Sequence, residues 1–169
     1  MLQAFLNVSV LAAPYFSRPW FGQLTLLKSG QEKTVPTIEE ALKTPLAGEY
    51  VTCGMKKPFY VDERDGDIHC FVGFRKRMGN FDEEANVVLW ERDRVIRESM
   101  ALIEAMGEVR LGPCRAETFP APDTLEEFLR SFSTHGNLAS YFPPILEKLG
   151  LVEVYKKGRA LYIRKKTDA

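Results

Sequence analysis

The sequence predicts an α+β protein, and three observations carry that expectation. Short apolar runs with alternating or near-continuous patterning, bounded by Gly- and Asp-bearing turns, recur at 48–53, 68–74 and 151–163 and read as strands. One segment, 93–106, instead places Val95, Ile96, Met100, Leu102, Ile103 and Met106 at helical spacing, and Gly107 stops it. Two more helical patterns follow Pro122.

Taken in order, 2–13 reads as a strand, because Asn7 and Ser9 interrupt its apolar run, and 23–28 reads as a second. Thr37 can cap a short helix over 37–42, whose Glu39 and Glu40 favour its positive end. Gly48 opens a strand, which 58–61 continues or neighbours. Residues 62–67 form a turn into the strong strand 68–74, so the two make a hairpin. The basic run Arg75, Lys76 and Arg77 follows at once, then another strand over 86–90. Beyond the long helix, 108–119 is extended and broken around Gly112 and Pro113. Pro120 and Pro122 mark a boundary between a body over 1–119 and a segment over 123–169.

In that segment Asp123 or Thr124 caps a helix that carries Leu125, Phe128, Leu129 and Phe132 on one side. A second helix starts near Ser140 and runs to Leu149. With Ser140 as its cap, Pro143 and Pro144 fall in the first turn, where amide hydrogens have no intrahelical partner. Gly150 ends the helix. Strands over 151–155 and 160–163 then flank the basic turn Lys156, Lys157, Gly158 and Arg159.

The bulk numbers restrict the function classes. A chain of 169 residues can hold one large domain or two small ones. Its 23 basic and 23 acidic residues cancel, which argues against a chain coated for nucleic acid. The basic excess is local: from Lys148 to Lys166 the only acid is Glu153. Three cysteines with no CxxC spacing make structural zinc an unpromising reading and suit a reducing compartment, so a cytoplasmic location is expected. No run approaches the roughly 20 apolar residues of a membrane span.

The order helix, turn, helix, strand, basic turn, strand over 124–166 resembles a winged-helix domain. The helix at 93–106 and the extended piece near Val109 could supply its first helix and strand. Such a resemblance implies a wing that lies against nucleic acid, through Lys156, Lys157, Arg159, Arg164, Lys165 and Lys166. The alternative is a solvated basic hairpin. The recognition-helix positions Asn137, Ser140, Tyr141 and Pro144 offer few long donors for base edges. Over 1–119 the order strand, helix, strand, strand, helix, strand is that of a ferredoxin-like unit. With Pro58-Phe59-Tyr60 and the Arg75-Lys76-Arg77 run, it distantly resembles the RAMP proteins, RNA-binding subunits of CRISPR effector complexes. That family's glycine-rich loop is represented here only by scattered glycines at 107 and 112.

Catalytic readings meet simpler ones. Asp62, Glu63, Asp65 and Asp67 suit an exposed hairpin turn as well as a metal site. His69 and Cys70, as strand neighbours, point to opposite faces and read as structural. No cofactor motif occurs, and no catalytic site is expected. Arg75, Lys76 and Arg77 beside Phe71 and Phe74 combine cations with aromatics, as binding of a single strand requires. The expected function is therefore non-catalytic binding of RNA or DNA, with other protein subunits or a second copy as further partners. A winged-helix DNA-binding regulator is the first alternative. A protein-interaction adaptor, docking through Tyr141, Phe142 and Pro143, is the second.

Overall fold

Asp65 and Gly66 both sit at positive φ (53° and 85°), the backbone that a two-residue type I′ turn requires. That turn folds β2 (Pro58–Arg64) back onto β3 (Asp67–Val72), with Arg64 opposite Asp67. The ladder thus takes in all but two residues of the turn expected over 62–67. In this computed structural model, residues 34–72, 87–112 and 121–168 are described. The strands expected over 2–13 and 23–28 lie outside them.

β1 (Gly48–Val51) adds to β2, and β4 (Val87–Leu89) adds to β3. All pairings are antiparallel, so the sheet is a meander in the order β1-β2-β3-β4. Before it comes α1 (Ile38–Leu42), started by a full capping box between Thr37 and Glu40. The protein is therefore an α+β chain. A ferredoxin-like order would put the strand after the long helix into this same sheet; that strand, β5 (Glu108–Arg110), joins a second sheet instead.

α2 (Arg92–Met106) hangs on the β2–β3 turn. The Arg92 amide donates to the Gly66 carbonyl at 2.8 Å, and the Glu91 amide donates to Asp67 Oδ1 at 2.8 Å. The Arg92 side chain, 13% exposed, pairs with Glu63 at 3.1 Å and donates to the Thr44 carbonyl at 2.9 Å. Val95, Ile96, Met100 and Ile103 are buried, whereas Met106 at the helix end is 45% exposed. Trp90, just past β4, is 40% exposed. No described helix is long and apolar enough to cross a membrane.

After β5 come α3 (Leu125–Leu129), a single 3-10 turn over Arg130–Phe132, α4 (Leu138–Lys148), β6 (Val152–Lys157) and β7 (Ala160–Lys165). Thr124 caps α3 as the sequence suggests. β7 is central in an antiparallel sheet of order β5-β7-β6. The expected C-terminal segment thus shares its sheet with a strand from before residue 119.

α4 departs from expectation. It begins at Leu138, not near Ser140, so Pro143 and Pro144 lie beyond its first turn. Pro144 has no N–H to offer the Ser140 carbonyl. That carbonyl accepts from the Cys53 amide at 3.2 Å, just past the end of β1. The cap is also not local: the Ala139 amide donates to Glu126 Oε2 of α3 at 2.7 Å. Leu138, Ala139, Phe142, Pro143, Pro144, Ile145 and Leu146 are all buried, because α4 packs on α3 and β6 as well as on β1. Phe59 of β2 meets the Tyr141 ring edge-on at 5.2 Å. Lys148 Nζ donates to the Ala47 carbonyl at 3.3 Å and lies 4.5 Å from the Tyr50 ring centroid.

Two stability predictions follow from this packing. Phe142, fully buried, should cost about 3–5 kcal/mol when replaced by Ala, read as a loss in urea unfolding free energy. Glu126 is 1% exposed; burial raises its pKa, against the opposing pull of the Ala139, Asn137 and Leu138 amides. The folded state therefore holds the Glu126 proton more tightly than the unfolded one, whose value is about 4.3. Ionising this group costs stability as pH rises from there through the folded pKa. The stability of wild type minus that of Glu126→Gln should fall across that range and then level off. A difference constant from acid to neutral pH would refute the assignment.

Candidate nucleic-acid interface

The basic hairpin is built outward from its turn. Gly158, at φ 64°, is the first of two turn residues, with Lys157 opposite Ala160; a type II′ turn places glycine there. So short a turn fixes the register, putting Tyr155 opposite Tyr162 and Glu153 opposite Arg164. On the other edge of β7, Arg110 faces Tyr162 and Glu108 faces Arg164. Alternation then divides the side chains between two faces. Val109, Val152 and Ile163 enter the core, and Val154 and Leu161 pack on it. The tyrosines, Arg110, Lys157, Arg164 and the two glutamates occupy the opposite, outer face.

On that outer face the Tyr155 and Tyr162 rings stack, with centroids 6.1 Å apart and planes 30° from parallel. The Arg164 guanidinium lies 4.9 Å from the Tyr155 ring centroid, and Lys157 Nζ lies 5.4 Å from that of Tyr162. Both distances suit attraction between a cation and the negative face of a ring. Neither ring belongs to the core or packs against it.

Carboxylates decide which cations remain available. Lys157 and the Tyr155 hydroxyl both donate to Glu108. The Lys157 ammonium first, and then the Tyr155 hydroxyl, hold the Glu108 carboxyl below its usual range. The same contact holds the Tyr155 phenol above its own. Arg164 pairs with Glu153, and Lys165 with Glu104 of α2. Three of the six hairpin cations expected at the contact (Lys157, Arg164 and Lys165) are thus already paired. Lys156, Arg159 and Lys166 are exposed and make no ion pair with a described residue, and the same holds for Arg110. Arg75, Lys76 and Arg77 lie outside the described residues.

The other expected surfaces do not form. Tyr141, Phe142 and Pro143 make no docking patch: Phe142 and Pro143 are buried and Tyr141 is half-buried against Phe59. The cause is the meander, whose β1 and β2 reach α4 on that side. For the same reason α4 offers no long face to a groove; beyond its midpoint only Glu147 and Lys148 are exposed.

Among the described residues no group of His, Cys, Asp or Glu is arranged to hold a metal ion. Three of the four acids at the β2–β3 turn are engaged by the protein itself. Asp62 pairs with Arg64 at 3.0 Å, Glu63 with Arg92, and Asp67 takes the Glu91 amide. Cys70 is fully buried, and burial pushes its thiol up to about 12, far from the thiolate a nucleophile needs. Cys114 lies outside the described residues.

Sequence reasoning passed over three side chains of the outer face: Arg110, Tyr155 and Tyr162. The tyrosine pair was recoverable, since a two-residue turn at Gly158 and Arg159 places positions 155 and 162 opposite each other. Arg110 was not, because its pairing with β7 is non-local. No family model, curated protein or solved structure matches this chain.

Proposed function

We propose that the protein is a non-catalytic nucleic-acid-binding protein built on a winged-helix-like module whose hairpin, not its second helix, makes the contact. In favour of the module is the order α2, β5, α3, α4, β6, turn, β7, with β7 central between β5 and β6. On this reading the first helix and strand come from before Pro122.

One observation carries the function: Arg110, Lys156, Arg159 and Lys166 are exposed on one sheet and its turn, with no ion pair to a described residue. Cations in that state can take phosphates without first breaking a protein ion pair. The burial of α4 speaks against the regulator, since duplex reading of that kind inserts a helix into the major groove. The burial of Phe142 and Pro143 speaks against the adaptor. A RAMP-like version would add RNA-guided protein partners, and the meander order gives it no support.

Anisotropy titration of labelled strands against salt tests the proposal. With four cations each neutralising one phosphate, single-strand binding should weaken roughly 50-fold between about 50 and 200 mM salt. Replacing Lys156 and Arg159 by alanine should make the log–log slope shallower by about 1.4, with unchanged melting. A cooperatively folded protein that binds neither single nor double strands at low salt would end the proposal.

A further inference from the structure

We infer that the outer face of the β5-β7-β6 sheet is a stacking platform for unpaired bases, so that the nucleic acid taken is single-stranded; this rests on the nucleic-acid reading above. The tyrosines stand side by side at mid-sheet, in a register that the Gly158 turn does not allow to slip. They add nothing to the core. Large aromatic rings held rigidly on a solvent-side face are what a base needs in order to stack. The Tyr155 hydroxyl, held by Glu108, fixes one ring, and the Arg164 guanidinium extends that ring's surface.

Charge is arranged to match a strand threaded across that face. Arg110 stands beside Tyr162 on β5, Arg159 lies in the turn, and Lys166 follows the alternation of Tyr162 and Arg164 just past the end of β7. Arg110 thus adjoins the rings, Arg159 and Lys166 lie toward the two ends of β7, and all three lack ion pairs to described residues. Arg164 and Lys157 lie over the rings themselves. Their partners Glu153 and Glu108 keep them there, and a guanidinium plane is itself a surface on which bases stack. A duplex would offer this face only its backbone, since its bases turn their planes to one another. It would have no inserted helix to compensate.

The test compares strands of equal length as RNA, as DNA and as duplex, for wild type, the double variant Tyr155→Leu with Tyr162→Leu, and the double variant Tyr155→Phe with Tyr162→Phe. Both single strands should bind at least about tenfold more tightly than duplex. The leucine variant should lose roughly 5- to 150-fold on single strands and little on duplex. The phenylalanine variant, which keeps the rings but loses the Tyr155 bond to Glu108, should retain most of the affinity that the leucine variant loses. Photocrosslinking of wild type to a strand carrying 5-iodouracil should map to Tyr155 or Tyr162, and it decides the matter even if the leucine variant fails to fold. A preference between the RNA and DNA arms identifies the source of the strand. Duplex bound as tightly as single strands, a folded leucine variant of unchanged affinity, or crosslinks confined elsewhere would overturn the platform and leave nucleic-acid binding standing. Absence of any binding would remove both.

Discussion

The burial of α4 on more than one side is the constraint from which the rest of the structure follows. A helix with seven buried residues in eleven cannot lie on a single layer with its other face in water. It needs a second layer, and the β1–β2 end of the meander supplies it. The prolines strengthen the join. Pro144 removes an intrahelical donor, and the amide of Cys53 takes up the released Ser140 carbonyl, so a local defect in the helix becomes a bond from α4 to the end of β1. The two sheets consequently share one core. The helix that would most naturally read a groove is spent on holding them together.

What remains for the proposed binding is decided by the pairing of charges rather than their number. The chain is neutral overall, so no long-range field draws a polyanion to it. Exposed ion pairs such as Lys157–Glu108 and Arg164–Glu153 add little to stability. Their effect is on arrangement: they hold two cations over the tyrosine rings and neutralise two acids that would repel a phosphate. Arg110, Lys156, Arg159 and Lys166 are left with their charge uncompensated by any described residue. A neutral protein can in this way present a locally basic sheet.

Features set by neighbours along the chain were legible in the sequence. The D-G turn at Asp65 and Gly66, the K-G-R turn at Gly158, the Thr37 and Thr124 caps and the extent of α2 are decided within a few residues, by φ preference and helical spacing. Features set across the chain were not. Glu126 reads as an ordinary acid of an amphipathic helix, yet it caps α4 from thirteen residues away, and this moves the start of α4 ahead of Ser140. Phe142 and Pro143 read as an apolar surface because nothing local announces that α4 will be packed on by α3, β6 and β1. Arg110 sits in a three-residue strand whose partner lies more than fifty residues later. At the candidate site, the hairpin cations were found by composition, but their division into paired and unpaired needed Glu104, Glu108 and Glu153 in place.

The proposed binding face gains from the position of β7. A two-stranded wing is marginally stable alone and would have to be ordered at the cost of affinity. Here β7 is bonded along both edges, to β5 and to β6, and its inner face is pinned by fully buried Ile163. The outer side chains therefore stand on a backbone already ordered before any ligand arrives. Alternation also separates the two tasks: Val109, Val152 and Ile163 answer to the core, while Arg110, Tyr155 and Tyr162 answer only to what lies outside it. Substitutions on the outer face would then alter the proposed contact without touching the packing that fixes the strand.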